Sequence, residues 1–124
     1  MNYKINKKQF KMFEKECSKW IKYFGLLDWE VNIREEKRKV NYLAQTSVSF
    51  HNRIATIKVV KDWGKFETTN KEIKKTAFHE ICEVMFYNVR YLAEARFLTE
   101  SEIDPEIHKL IRILENTVFE ESNA

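Results

Sequence analysis

His79, Glu80 and Glu83 stand in the stretch Thr76-Ala-Phe-His-Glu-Ile-Cys-Glu-Val-Met-Phe86. The run from Ala77 to Ala93 around them is otherwise almost wholly apolar, with only Asn88 and Arg90 sharing their polarity. Ionisable side chains are rarely buried unless they are paired or bind a metal. On a helix that advances about 100° per residue, His79 and Glu83 lie only about 40° apart. One helix then offers two ligands to one cation. Glu80 projects from a neighbouring direction, placed to take a proton from a water that the cation activates. A third ligand must come from elsewhere. Of the other two histidines, His51 falls at an expected hairpin tip and His108 in the first turn of an expected last helix, beside its apolar stripe. His108 is therefore the better candidate, and His51 reads as a turn residue. The expected site is a divalent metal, zinc first, on His79, Glu83 and His108, with Glu80 as general base. A carboxylate ligand also suits manganese or iron.

Chance accounts poorly for the pattern: with 3 His and 16 Glu in 124 residues, H-E-x-x-E is expected about 0.05 times. Two other readings stay open. Glu80 and Glu83 could pair with lysines or Arg90 while His79 is a hydrogen-bonded core histidine. His108 reads equally as a surface residue at a helix start.

The surrounding elements must position these residues. From about Lys7 to Phe24, the residues Phe10, Phe13, Cys17, Trp20, Ile21 and Phe24 form one stripe at helical period, and Gly25 suits the position after the helix. The lysines opposite that stripe read as a solvated face. Trp29 to Glu35 alternates at period two, as a half-buried strand does. Val40 to Phe50 puts Val40, Tyr42, Ala44, Thr46, Val48 and Phe50 on one face. After a reversal at His51-Asn52-Arg53, a third strand to Lys61 puts Ala55, Ile57 and Val59 together. Short connections favour an antiparallel meander. Trp63 and Phe66 are expected anchors of the loop before the motif helix.

Thr69 to Glu72 has capping-box spacing, and the motif helix is expected from about Asn70 to Phe97, buried nearly all round from Ala77. Asp104-Pro105 predicts a restart with Asp104 as N-cap. The last helix, about Pro105 to Glu120, would bury Ile107, Leu110, Ile111, Leu114 and Val118. The fold class is thus α+β: an N-terminal helix, a three-stranded, mainly antiparallel sheet, a long central motif helix and a C-terminal helix. It is expected as one domain over 1–124.

Composition excludes several classes. Hydrophobic residues make up 44% of the chain, which argues for a folded protein, and 22 basic against 19 acidic residues do not by themselves call for nucleic acid, so an accessory protein that binds it through the lysines of the first helix is only the third reading. Gly25 and Gly64 are the only glycines, too few for a phosphate-cradling loop. Cys17 and Cys82 lack CxxC spacing and read as reduced thiols, and no stretch reaches membrane-spanning length. The default expectation is a cytoplasmic protein with no membrane partner.

His79-Glu-Ile-Cys-Glu83, after a small sheet and before a helix carrying His108, resembles the motif of minimal zincin-like metallopeptidases and SprT-like proteases. It looks closest to small zincin-like proteins encoded by bacteriophages. The resemblance implies His79 as first ligand, Glu80 as general base and His108 as the ligand from the following helix. Glu83 stands where zincins usually place a second histidine. A zinc peptidase acting on a protein or peptide is implied. The alternative is a non-catalytic phage protein on the same scaffold, its metal structural or absent, that binds or inhibits a host protein in the host cytoplasm.

Overall fold

The computed structural model describes residues 2–95 and 99–122. Its elements are β1 (Tyr3–Lys4), α1 (Lys7–Tyr23), β2 (Glu30–Glu36), β3 (Ala44–Ser49), β4 (Ile54–Val60), β5 (Asp62–Gly64), α2 (Asn70–Glu94) and α3 (Glu100–Leu114). A π-helical turn (Glu115–Phe119) and a last helical turn, α4 (Glu120–Ser122), continue α3. The protein is α+β, as expected.

Local chemistry explains the ends of α1. Asn6 and Gln9 form a reciprocal capping box, and the Gln9 side chain also donates to Thr68 O at 2.8 Å, tying the starts of α1 and α2 together. At the other end, Leu26 N–H donates to Ile21 O at 2.9 Å and Gly25 N–H to Lys22 O at 3.1 Å. With Gly25 at φ +67, this is a Schellman turn, in which a glycine avoids the Cβ clash of left-handed backbone. The predicted stripe packs inward: Phe13 and Cys17 are fully buried, with Phe10, Trp20, Ile21 and Phe24 around them.

The sheet differs from a meander. Its order is β2-β4-β3, with β2 parallel to β4 and β3 antiparallel to it. β4 is the central strand, so the third strand is not the edge. Period-two alternation is the same in both pairings and cannot separate them. The connection 37–43 carries the chain across one vacant strand position, a span of about 10 Å, and the hairpin then fills the gap with β4. Val40, Tyr42 and Leu43 still pack on the core from this connection, but the strand begins only at Ala44. The reversal puts positive φ on Arg53, at 55°. A second sheet, absent from the sequence reading, pairs β1 with β5 and seals Ile5 and Trp63 inside. Phe66 is 67% exposed, so of the two expected anchors only Trp63 enters the core.

The buried side chains form one cluster in which Ile73, Ala77, Ile81 and Val84 of α2 meet Phe13 and Cys17 of α1 and Ala55, Ile57 and Val59 of β4. α2 is therefore buried along one face, not all round: Phe78, Phe86 and Val89 are exposed. Its expected end at Phe97 lies outside the described residues. Thr69 caps it, accepting from Glu72 N–H at 3.2 Å.

The last helix departs most from expectation. Thr99 is its N-cap, Glu102 and Ile103 donate to Thr99 O, and Pro105 lies inside the helix. Glu100 and Glu102 in the first turn favour that earlier start through the helix dipole. The stripe expected to be buried faces out: Ile107, Ile111, Leu114 and Val118 are exposed. The body-facing row is one position earlier: Glu106, Leu110, Ile113 and Thr117, with Thr117 buried and Ile113 packed on the core.

Candidate functional site

Glu80 lies on the core-facing side of α2, in the row that contains Ile73, Ala77 and Val84, and is only 6% exposed. The edge strand β3 explains how a carboxyl group can sit there. Thr46 Oγ1 donates to Glu80 Oε1 at 2.9 Å and lies 3.4 Å from Glu80 O. This bond fixes one carboxyl oxygen, and the other, Oε2, lies 3.9 Å from His79 Nε2. Burial raises the proton affinity of Glu80 above the ordinary carboxylate value. The Thr46 hydrogen bond and the His79 ring oppose that shift, and Glu83 adds to it. A buried acid with raised affinity beside a cleft is a frequent mark of acid–base chemistry.

His79 is not a core histidine; its side chain is 70% exposed. One turn further, Glu83 Oε1 is 3.7 Å from His79 Nε2, while Glu83 Oε2 accepts from Arg90 Nη2 at 3.1 Å. The helix therefore brings His79, Glu80 and Glu83 together as the spacing requires. A cleft of about 280 Å³ opens beside His79 and Glu80, walled by Leu43 and Ala44 on the sheet side and by Glu72 and Thr76 on α2.

His108 does not stand with them. It is the ninth residue of α3, its Nδ1 is 2.9 Å from Asp104 O and 3.3 Å from Asp104 Oδ2, and the side chain is exposed. Among the described residues, no three His, Cys, Asp or Glu side chains form a group that could hold an ion. Donor atoms around tetrahedral zinc, with bonds near 2.0–2.1 Å, are separated by about 3.3 Å. The 3.7 Å between His79 and Glu83 is near that spacing, so these two suit neighbouring positions of a zinc shell. The third position has no protein ligand in this arrangement.

His51 sits in the β3–β4 turn against the rings of Phe50 and Tyr91. Both cysteines are free. The Cys17 thiol is pushed up to about 12, by burial first and then by the nearby Glu80, Glu16 and Glu14 carboxylates, which disfavours the nucleophilic thiolate. The residue that sequence reasoning passed over is Thr46. Its signal was a hydroxyl within the otherwise apolar face of Val40, Tyr42, Ala44, Val48 and Phe50.

No helix among the described residues is long and apolar enough to cross a membrane. Compared with family models, curated proteins and solved structures, the chain matches none.

Proposed function

We propose that the protein is a metal-dependent hydrolase of the peptidase class, with Glu80 as general base and His79 and Glu83 as ligands of a divalent ion, zinc by donor chemistry. The observation that carries this reading is the placement of Glu80: a buried carboxyl group, oriented by Thr46, with its second oxygen turned toward the exposed imidazole of the same helix turn. A bound ion would supply an acidified water and a polarised substrate carbonyl. Glu80 then accepts a proton at Oε2 and passes it to the leaving amine, helped by the affinity that burial gives it. β3 is an edge strand, and an extended peptide added to it would run along the cleft beside Glu80. His108 completes the ligand set in this reading only by giving up its contacts with Asp104.

A second reading, a binding protein on the same scaffold with no catalytic ion, draws on the Arg90–Glu83 ion pair and on the separate placement of His108. Metal analysis of protein purified without a histidine tag separates the two. A stoichiometric divalent ion, and a melting temperature lowered by chelator, are the results expected of the hydrolase. No bound ion, with melting unchanged on chelation, leaves the binding reading.

A further inference from the structure

A cavity of about 420 Å³ lies between the end of α1 with its following loop, α2 and α3, within the range of small-molecule sites, about 300–1,000 Å³. It shares no lining residue with the cleft beside Glu80. Leu26, Met85, Leu110 and Ile113 give it an apolar wall, with Trp29 at one side.

The charges around it do not cancel. Lys22, Arg53, Lys109 and Arg112 line it, against Asp28 and Glu106. Glu106 is already engaged, accepting from Asn88 Nδ2 at 2.5 Å and from Lys109 Nζ at 3.5 Å. Asp28 is 64% exposed and only 4.0 Å from Arg53. Neither Lys22 nor Arg112 has a carboxylate within ion-pair distance among the described residues. Lys22, Arg53 and Arg112 thus surround the cavity with one loosely held counter-charge.

Arg53 reaches this position through an unfavourable backbone. It is the one non-glycine residue with positive φ among those described, a conformation that costs free energy for any side chain with a Cβ. Its guanidinium lies 5.3 Å from the Trp29 ring centre and 5.4 Å from that of Phe50, and Nη1 donates to Asn88 Oδ1 at 3.4 Å. A partly desolvated guanidinium near two rings, with a long hydrogen bond to a neutral amide, is well suited to a phosphate.

We propose that this cavity binds a small organic phosphate monoester. The phosphate lies among Arg53, Arg112 and Lys22, and the apolar or aromatic body rests on Leu26, Met85 and Ile113 beside Trp29. Three cations suit a dianion better than a single carboxylate, and the apolar wall favours an ester over free phosphate.

Titration calorimetry of the full chain with 1-naphthyl phosphate, inorganic phosphate and 1-naphthol tests this. Naphthyl phosphate should bind about tenfold or more tightly than either comparison compound. Arg53→Gln should weaken it by about tenfold, and Arg112→Gln and Lys22→Gln by about fivefold each. Lys75→Gln, on the separate cleft, should leave binding unchanged. Arg112 and Lys22 are exposed, so their variants keep the test valid if Arg53→Gln disturbs the turn. Equal affinity for inorganic phosphate, equal affinity for naphthol, unchanged binding in Arg112→Gln and Lys22→Gln, or no saturable binding up to about 5 mM would each overturn the proposal.

Discussion

At the scale of single residues, a carboxyl group facing the core has consequences for both stability and chemistry. The folded state binds the Glu80 proton more tightly than the unfolded chain does, because burial disfavours the charged form. The stability contributed by that proton is present at low pH and is lost as pH rises through the raised folded value. Glu80→Gln should therefore melt no lower than wild type at pH 7, with its relative advantage shrinking as pH falls through the raised folded value toward 4.5, the ordinary glutamate value, and constant below it. In the proposed hydrolase the same change should reduce turnover by about 10²–10⁴-fold while metal content is retained; unchanged turnover would remove Glu80 from the mechanism. Thr46→Val takes away the one hydroxyl that stabilises the Glu80 carboxylate. Urea denaturation at pH 7 should show a loss of about 1–3 kcal/mol. Glu36 behaves in the opposite sense. The side chain and backbone N–H of Arg38 donate to it and lower it from 4.5 to about 2. The stability that Glu36 contributes is thus present above pH 4.5 and lost as pH falls toward 2. Melting of Glu36→Gln against wild type should differ in the upper range and converge in the lower.

At the scale of elements, α1 and α3 carry equally clear stripes, yet only one stripe is covered. Phe13 and Cys17 of α1 face α2 and β4, whereas Ile107, Ile111, Leu114 and Val118 of α3 face outward. Periodicity reports that a helix has an apolar side; it does not report whether the rest of the chain lies against that side. Substitutions read this directly. Ile107→Ser and Leu114→Ser should each change stability by no more than about 0.5 kcal/mol, whereas Ile81→Ala, at a fully buried position, should cost about 2–5 kcal/mol. If the two α3 changes proved as costly as Ile81→Ala, the stripe would have to be buried in solution. The start of α3 teaches a similar lesson. Asp104-Pro105 is a good helix start by local rules, but Thr99 with Glu100 and Glu102 begins the helix five residues earlier, with Pro105 inside it at the cost of one ladder bond and of crowding against the carbonyl one turn back.

At the scale of the whole molecule, α2 alone groups three of the four expected site residues, and the fold leaves the fourth on α3, apart from them. If His79 and Glu83 hold an ion only in the folded state, an ion concentration about 100 times its Kd should add about 2.7 kcal/mol to stability, read as a rise in melting temperature that chelator reverses. The same geometry gives the metal-free reading its test, since Arg90 already neutralises Glu83.

The sequence by itself determined the class of each main element, the cap at Thr69, the glycine turn at Gly25 and the grouping of His79, Glu80 and Glu83. All of these depend on spacings within one helix or turn, where backbone geometry alone sets neighbours. The tertiary structure decided what lies between distant segments: β4 inserted beside β2, Thr46 donating to Glu80, His108 set apart from His79 and Glu83, and the apolar side of α3 left open. The physical reason is that alternation and helical period specify a face, while its partner depends on how connections such as 37–43 route the chain through space.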